Sequence, residues 1–245
     1  MTIKIDEFAR YEFKYVLRAS KAELIESQVQ NFMYYDSFIE NIPGNQYPVR
    51  SLYFENDIRS NFYEKTDGLK SRRKYRLRTY SSGNDPSTGI FFEEKGKHNE
   101  RTYKRRIKIN PEHLILFEQT DRAFELLPLH PGIDLIETFI FESERKNLKP
   151  CAIVDYLRRP YVSDYDMNFR VTFDRDLRAN ASSVLLQDVP AFRECIAGYT
   201  ILELKFHRRI PRWFHHLIQT YDLRRQSISK FVVGMKTCEL AVDLS

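Results

Sequence analysis

The 245-residue chain is 42% hydrophobic and 14% aromatic, which excludes a disordered chain and allows a sizeable core. Its formal charge of +5 is unevenly spread: residues 70–109 hold thirteen Lys and Arg against four Asp and Glu, a net of +9, which leaves −4 for the rest. Three scattered cysteines (Cys151, Cys195, Cys238) exclude a disulfide framework or thiolate metal centre, and no apolar run approaches the roughly 20 residues of a membrane span.

From the N-terminus, alternation predicts a strand over 8–18, with Arg10, Glu12 and Lys14 on one face and Tyr11, Phe13 and Tyr15 on the other. Ser20 and Glu23 have the spacing of a capping box, and Ala22, Ile25, Val29 and Phe32 predict the helix that follows. Strands are expected over 47–55 and 72–80. In the second, Lys74, Arg76 and Arg78 share a face opposite Tyr75, Leu77 and Thr79. The stretch "SSGNDPSTG" (81–89) reads as a hairpin loop into a strand over 90–97. In the next strand, 101–109, Lys104, Arg106 and Lys108 oppose Tyr103, Ile107 and Ile109, with Arg105 as the exception.

After the punctuated segment "LPLHPGID" (127–134), Leu135, Ile136, Phe139 and Ile140 mark a helix. Strands follow over 150–158, over 167–175 (Arg170, Thr172 and Asp174 on one face) and over 199–207 (Glu203 and Lys205 on one face). Pro211 suits the first turn of a helix carrying Phe214, Leu217, Ile218 and Tyr221. A last helix starts near Ser229, with Phe231, Met235, Cys238 and Val242 on one side. The expected fold class is α+β, dominated by antiparallel pairing, in a single domain over 1–245.

These strands carry charge, not mere polarity, on one face. Like charges side by side destabilise a solvated sheet face, so the rows need a reason. Either the apolar faces pack inward beneath a cationic exterior, or the sheet closes with its charges inside and its apolar faces under the helices. The second arrangement removes edge strands and gives amphipathic helices a partner. It requires a wet lumen that holds anions, because unpaired buried charge costs several kcal/mol per ion. Inward Arg and Lys then imply a phosphate chain, and inward Glu a divalent metal. Nucleic acid is disfavoured, because aromatics lie opposite the cations instead of interleaving with them as stacking platforms.

The ordered set "YEFKYVL", "VRSLYFEN", "KYRLRTY", "FFEEKGKHNERTYKRRI", "FRVTFDRDL", "ILELKF" and "SISKFVVGM" resembles the VTC (vacuolar transporter chaperone) domain over about residues 8–236. This is the polyphosphate polymerase branch of the triphosphate tunnel metalloenzymes. The resemblance implies a closed antiparallel β-barrel tunnel of about eight strands, with a charged lumen and surrounding helices. It implies transfer of the γ-phosphate of ATP onto inorganic polyphosphate with Mn²⁺ or Mg²⁺. Residue by residue, it assigns Lys14, Arg76, Arg78 and Arg170 to catalysis, Arg170 as the arginine before the Asp174-Arg175 turn. Lys95, Lys104, Arg106, Ser229 and Lys230 bind phosphate, and Glu203 binds the metal.

Two departures stand out. Arg10 replaces a glutamate common on the superfamily's first strand, which favours the polymerase branch. Ser227 replaces a frequent lysine, with Arg224 or Arg225 as candidate substitutes. No SPX domain or membrane helix is read in the chain, so a free-standing, prokaryotic-type cytoplasmic enzyme without membrane insertion is expected. The rival readings are a triphosphatase of the same fold and a noncatalytic polyphosphate binder.

Overall fold

The alternating segments become one curled sheet. The computed structural model describes residues 4–40, 42–81, 85–99, 101–188 and 191–243, with side chains from Arg10 onward. Its strands are β1 (Lys4–Arg18), β2 (Tyr34–Tyr35), β3 (Tyr47–Glu55), β4 (Ser71–Thr79), β5 (Ile90–His98), β6 (Arg101–Ile109), β7 (Lys149–Val162), β8 (Arg170–Ala181), β9 (Arg193–Glu194) and β10 (Tyr199–Phe206). Neighbours run β7-β3-β4-β5-β6-β1-β10-β8, and β8 pairs back onto β7. Eight antiparallel strands thus close on themselves, as expected, and β2 and β9 are two-residue additions. Closure leaves none of the eight as a long unpaired edge.

Register carries the charged rows around the ring. Lys14 lies opposite Glu203, Arg76 opposite Glu93, Glu93 opposite Arg106, and Lys95 opposite both Lys74 and Lys104. The apolar rows face outward. Tyr75, Leu77, Phe92 and Ile107 pack with Phe117 of α3 (Leu114–Glu118), Leu126 of α4 (Leu126–Leu129) and Phe139 of α5 (Asp134–Lys146). Tyr15, Val171, Phe173, Leu202 and Leu204 pack with Ile25 of α1 (Ala19–Val29) and Phe214 of α6 (Arg212–Thr220). Two outer apolar layers therefore hold the barrel from opposite sides, and the charges face the lumen.

The last helix departs from the expected ring of outer helices. Phe231 and Met235 of α7 (Lys230–Thr237) cluster with Tyr53, Val154, Tyr156, Ala179 and Ile201. Tyr156 and Val154 share a strand face with Arg158 on β7, and Ile201 with Glu203 on β10, so this cluster lies on the lumenal side. Helix α7 therefore plugs one end of the barrel. The fit is close: a Cβ on Gly234 would lie 2.7 Å from Val154 Cγ2. Helix α2 (Ser60–Thr66) packs beside it, with Phe62 in the same cluster.

Several local expectations need correction. Helix α1 begins at Ala19 with Arg18 as N-cap and no side-chain cap bond, so Ser20 sits inside the helix and the capping box does not form. The tight chain reversal out of β1 leaves no separate cap residue. Phe32 lies beyond α1, half exposed, and stacks on Trp213 at 4.5 Å. Pro211 is the N-cap of α6, one residue before its first turn, and Val242 is exposed beyond α7. No turn follows Asp174-Arg175. Strand β8 continues to Ala181 through a bulge at Asp176, whose φ of 52° shifts the register against β7. Residues 82–84 of the expected hairpin loop lie outside the described residues. Among the described residues, no helix is long and apolar enough to cross a membrane.

Candidate active site: a charged tunnel

The lumen opens at one end into a cavity of about 540 Å³ and narrows to a pocket of about 70 Å³ beside α7. At the centre, alternation on β4 turns Arg76 and Arg78 inward, and both are buried. Arg76 donates from Nε and Nη2 to Glu93 Oε2 at 2.8 and 2.6 Å, and from Nη1 to Tyr53 Oη at 3.1 Å. Arg78 donates to Ser51 Oγ at 3.0 Å and Tyr156 Oη at 3.4 Å. Burial opposes ionisation of Glu93, but Arg76, Arg78 and Lys104 outweigh it and hold its carboxyl far below the usual range. The other Glu93 oxygen, Oε1, is buried without a hydrogen-bond partner; Lys104 Nζ and Arg106 Nη1 each stand 3.9 Å away.

Near the plug, carboxylates organise the cations. Arg158 donates from Nε and Nη2 to Asp174 at 2.6 and 2.7 Å and from Nη2 to Glu203 at 3.1 Å. Lys230, the first residue of α7, lies 2.6 Å from Asp174 and 2.7 Å from Glu203. Lys14 lies 3.1 Å from Glu12 and 3.6 Å from Glu203, and Lys95 lies 2.9 Å from Glu12. Ser229, the N-cap of α7, accepts from Lys74 Nζ at 3.2 Å. Burial opposes ionisation of Glu12, Glu203 and Asp174 alike. Lys95 and Lys14 for the first, Lys230 and Lys14 for the second, and Arg158 and Lys230 for the third override it and lower their pKa values.

The balance is still strongly positive. Twelve Lys and Arg line the two cavities. Glu12, Asp36 and Glu203 line them too, and Glu93 and Asp174 lie behind, so twelve cations against five anions give +7 at full ionisation among the described residues. The lysines register the excess. Burial, then neighbouring cations, push Lys74 far below its ordinary value; burial, then Arg158, does the same to Lys205. Burial, only partly offset by Glu93, brings Lys104 down to about 8. An anion in the lumen would reverse these shifts.

A second opening, of about 510 Å³, lies between the segment 225–229 and the adjoining ends of β1, β4, β5 and β6. Lys65, Arg72, Lys97 and Arg225 line it. Glu12 and Lys95 line all three cavities, so the hollows adjoin. At Ser227, the position where a lysine was missed, Lys65 of α2 donates to Ser227 Oγ at 2.8 Å and its carbonyl at 3.2 Å. Arg225 also reaches this opening, whereas exposed Arg224 pairs with Asp222.

Of the ten residues singled out from sequence, Lys14, Arg76, Arg78, Lys95, Lys104, Arg106, Glu203, Ser229 and Lys230 converge on this lumen. Arg170 lines only the outer mouth, where its exposed guanidinium pairs with Asp36. The buried guanidinium in that sector is Arg158, which sequence reasoning passed over. Its strand was expected to stop at 158, and the signal was the period-two row Tyr156, Arg158, Pro160. The aromatic reading also needs correction. Tyr80 follows Arg78 and Phe91 precedes Glu93 on the same lumenal faces, and Tyr53 and Tyr156 touch the central arginines.

Among the described residues no three His, Cys, Asp or Glu side chains converge as a metal cage. Mg²⁺-like ions commonly take one or two carboxylates and complete their shell with water and substrate phosphate. Glu203 and Glu12, bridged by Lys14, form a donor set of that size.

A search of curated proteins finds no match to the chain. Among solved structures, a candidate adenylate cyclase from Bacillus halodurans superposes with a TM-score of 0.54 at 12% identity, covering 89% of this chain and 92% of that one. A candidate adenylyl cyclase from Hippeastrum, described as having a dominant triphosphatase activity, superposes with a TM-score of 0.51 at 11% identity, covering 94% and 96%. At these identities the likeness is one of fold. The VTC domain profile matches residues 9–239, nearly the whole barrel and its plug, and the chain belongs to the VTC domain family.

Proposed function

We propose that the protein is a polyphosphate polymerase, which moves the γ-phosphoryl group of ATP onto the end of an inorganic polyphosphate chain. The observation that carries this reading is a lumen with a formal charge of +7 adjoining a second cationic opening, a shape suited to a linear polyanion longer than one triphosphate. Phosphoryl transfer asks the protein mainly for alignment and charge neutralisation. Arg76, Arg78 and Arg158 present guanidinium charge to phosphate oxygens; Glu93 and Asp174 hold the Nε–Nη2 edges of Arg76 and Arg158, which leaves Nη1 of each as the donor toward phosphate. Lys14, Lys95, Lys104 and Lys230 act as compact point charges, and Arg106 and Arg170 draw the triphosphate in at the mouth.

The P–O bond between the γ-phosphorus and its bridging oxygen breaks, ADP leaves, and a new P–O bond forms to a terminal oxygen of the acceptor chain. That oxygen is already ionised at neutral pH, so no side chain has to take a proton. A divalent ion held by Glu203 and Glu12 would supply further neutralisation of the phosphate oxygens when bound. Mn²⁺ or Mg²⁺ suits these oxygen donors.

The alternative is hydrolysis in the same lumen with water as acceptor, favoured by the triphosphatase activity described for the Hippeastrum protein. Incubation with ATP and Mn²⁺, followed by gel separation of the phosphate products, decides between them. A ladder of acid-labile chains supports the polymerase; orthophosphate alone overturns it in favour of the hydrolase.

A further inference from the structure

Four aromatic rings gather at the wide mouth of the lumen, and phosphate binding gives them no task. Tyr80 and Phe91 face inward from the facing ends of β4 and β5, Tyr47 from the start of β3, and Phe38 from the segment after β2. The rings meet edge to face: Phe38 and Tyr47 at 5.2 Å, Tyr47 and Tyr80 at 5.6 Å, Tyr80 and Phe91 at 5.8 Å. Arg106 lies over Phe91 at 4.7 Å and donates to Tyr80 Oη at 3.4 Å, so the rim is joined to the phosphate-facing row.

Phe38 is the telling member. It is 58% exposed, belongs to none of the three apolar clusters, and rests on the edges of Tyr47 and Tyr80. Its position is nevertheless built. Asp36 Oδ1 accepts from the Phe38 backbone N–H at 3.1 Å, and the same carboxylate pairs with Arg170 across the mouth. An exposed ring placed over a cationic cavity by two polar contacts is not needed for the core.

We propose that Phe38, Tyr47 and Tyr80 form a nucleobase subsite, which stacks the purine of a nucleoside triphosphate while its phosphates run down the lumen. This rests on the reading of the donor as ATP given above. The dimensions agree. Tyr80 stands one lumen-facing step, about 7 Å, beyond Arg78, which leaves room for a ribose between base and phosphates. The mouth cavity of about 540 Å³ falls in the range of about 300–1,000 Å³ that holds drug-sized ligands. Stacking uses the π-face that every base has, so the subsite discriminates nucleotides from inorganic phosphate chains more than one base from another. Inorganic polyphosphate has no base, so donor and product compete for the lumen but not for the rim.

The test is calorimetric titration of wild type and Phe38→Ala with ATP and, separately, with inorganic tripolyphosphate, both with Mg²⁺. Phe38→Ala is expected to weaken ATP about tenfold, as truncation of a stacking ring does, and to change tripolyphosphate less than about twofold. Phe38→Trp supplies a second readout, with fluorescence quenched by ATP and not by tripolyphosphate. Equal ATP affinity in Phe38→Ala and wild type, or equal losses for both ligands, overturns the subsite. Wild type that binds tripolyphosphate but not ATP overturns it together with the donor assignment, and binding of neither overturns the phosphate-binding lumen itself.

Discussion

Polyanion binding should draw protons out of solution, because burial favours the neutral forms of lysines that line the lumen. Lys104, brought down to about 8 chiefly by burial, is half protonated at pH 8. Lys74 and Lys205 are also held well below their ordinary value, the first by burial and the Lys95 and Lys14 charges, the second by burial and Arg158. A phosphate chain among them favours their charged forms and raises all three pKa values. At pH 8, Lys104 should take up about half a proton, and the lowered pKa values of Lys74 and Lys205 give uptake of the same sign. The sign follows from the direction of the shifts. A group whose pKa rises on binding contributes affinity that is present below its free-state value and lost as pH rises through the bound value. For Lys104, affinity is therefore level below about pH 8 and falls above it. Lys74 and Lys205 act in the same direction. Titration of tripolyphosphate in two buffers of different ionisation enthalpy measures the proton count directly. Zero uptake, after allowance for the proton that the terminal phosphate of tripolyphosphate itself gives up, would mean that these lysines do not meet the anion.

Lys14→Ala should abolish turnover yet change stability by no more than about 1 kcal/mol, because Glu12 keeps Lys95 and Glu203 keeps Lys230 and Arg158; denaturant melts measure it. Arg158→Met should cost about 3 kcal/mol in the same melts, since it strips the bidentate partner from buried Asp174 and leaves that carboxylate to Lys230, which Glu203 shares. Gly234→Ala gains about 1 kcal/mol of helix propensity but meets Val154 at 2.7 Å, where overpacking costs about 1–3 kcal/mol. A lower melting temperature is expected; a higher one would show that α7 is not seated against β7.

Period-two charge on strand after strand left two readings, a cationic exterior or a closed sheet with the charges inside; the amphipathic helices needing an apolar partner and the family resemblance pointed to the second. Residues on β1, β4, β5, β6 and β10 were legible for that reason. Arg158 was not, since its strand also carries Tyr156 and Val154 toward the plug and reads as an ordinary buried strand. The position of α7 was hidden too. Its apolar stripe looks the same whether it covers a barrel or stoppers one, and the difference lies in small residues at the contact, Gly234 on the helix and Ala179 facing it from β8. The bulge at Asp176, which turns Leu177 and Ala179 toward α7, has no sequence signal beyond a residue type tolerant of positive φ.

The most direct test of the charged lumen is a crystal structure of the protein soaked with tripolyphosphate. The account predicts a phosphate chain inside the barrel, with oxygens bound between Arg76, Arg78 and Lys104. Phosphate bound only on the outer surface, with those three side chains still held solely by protein partners and water, would contradict it.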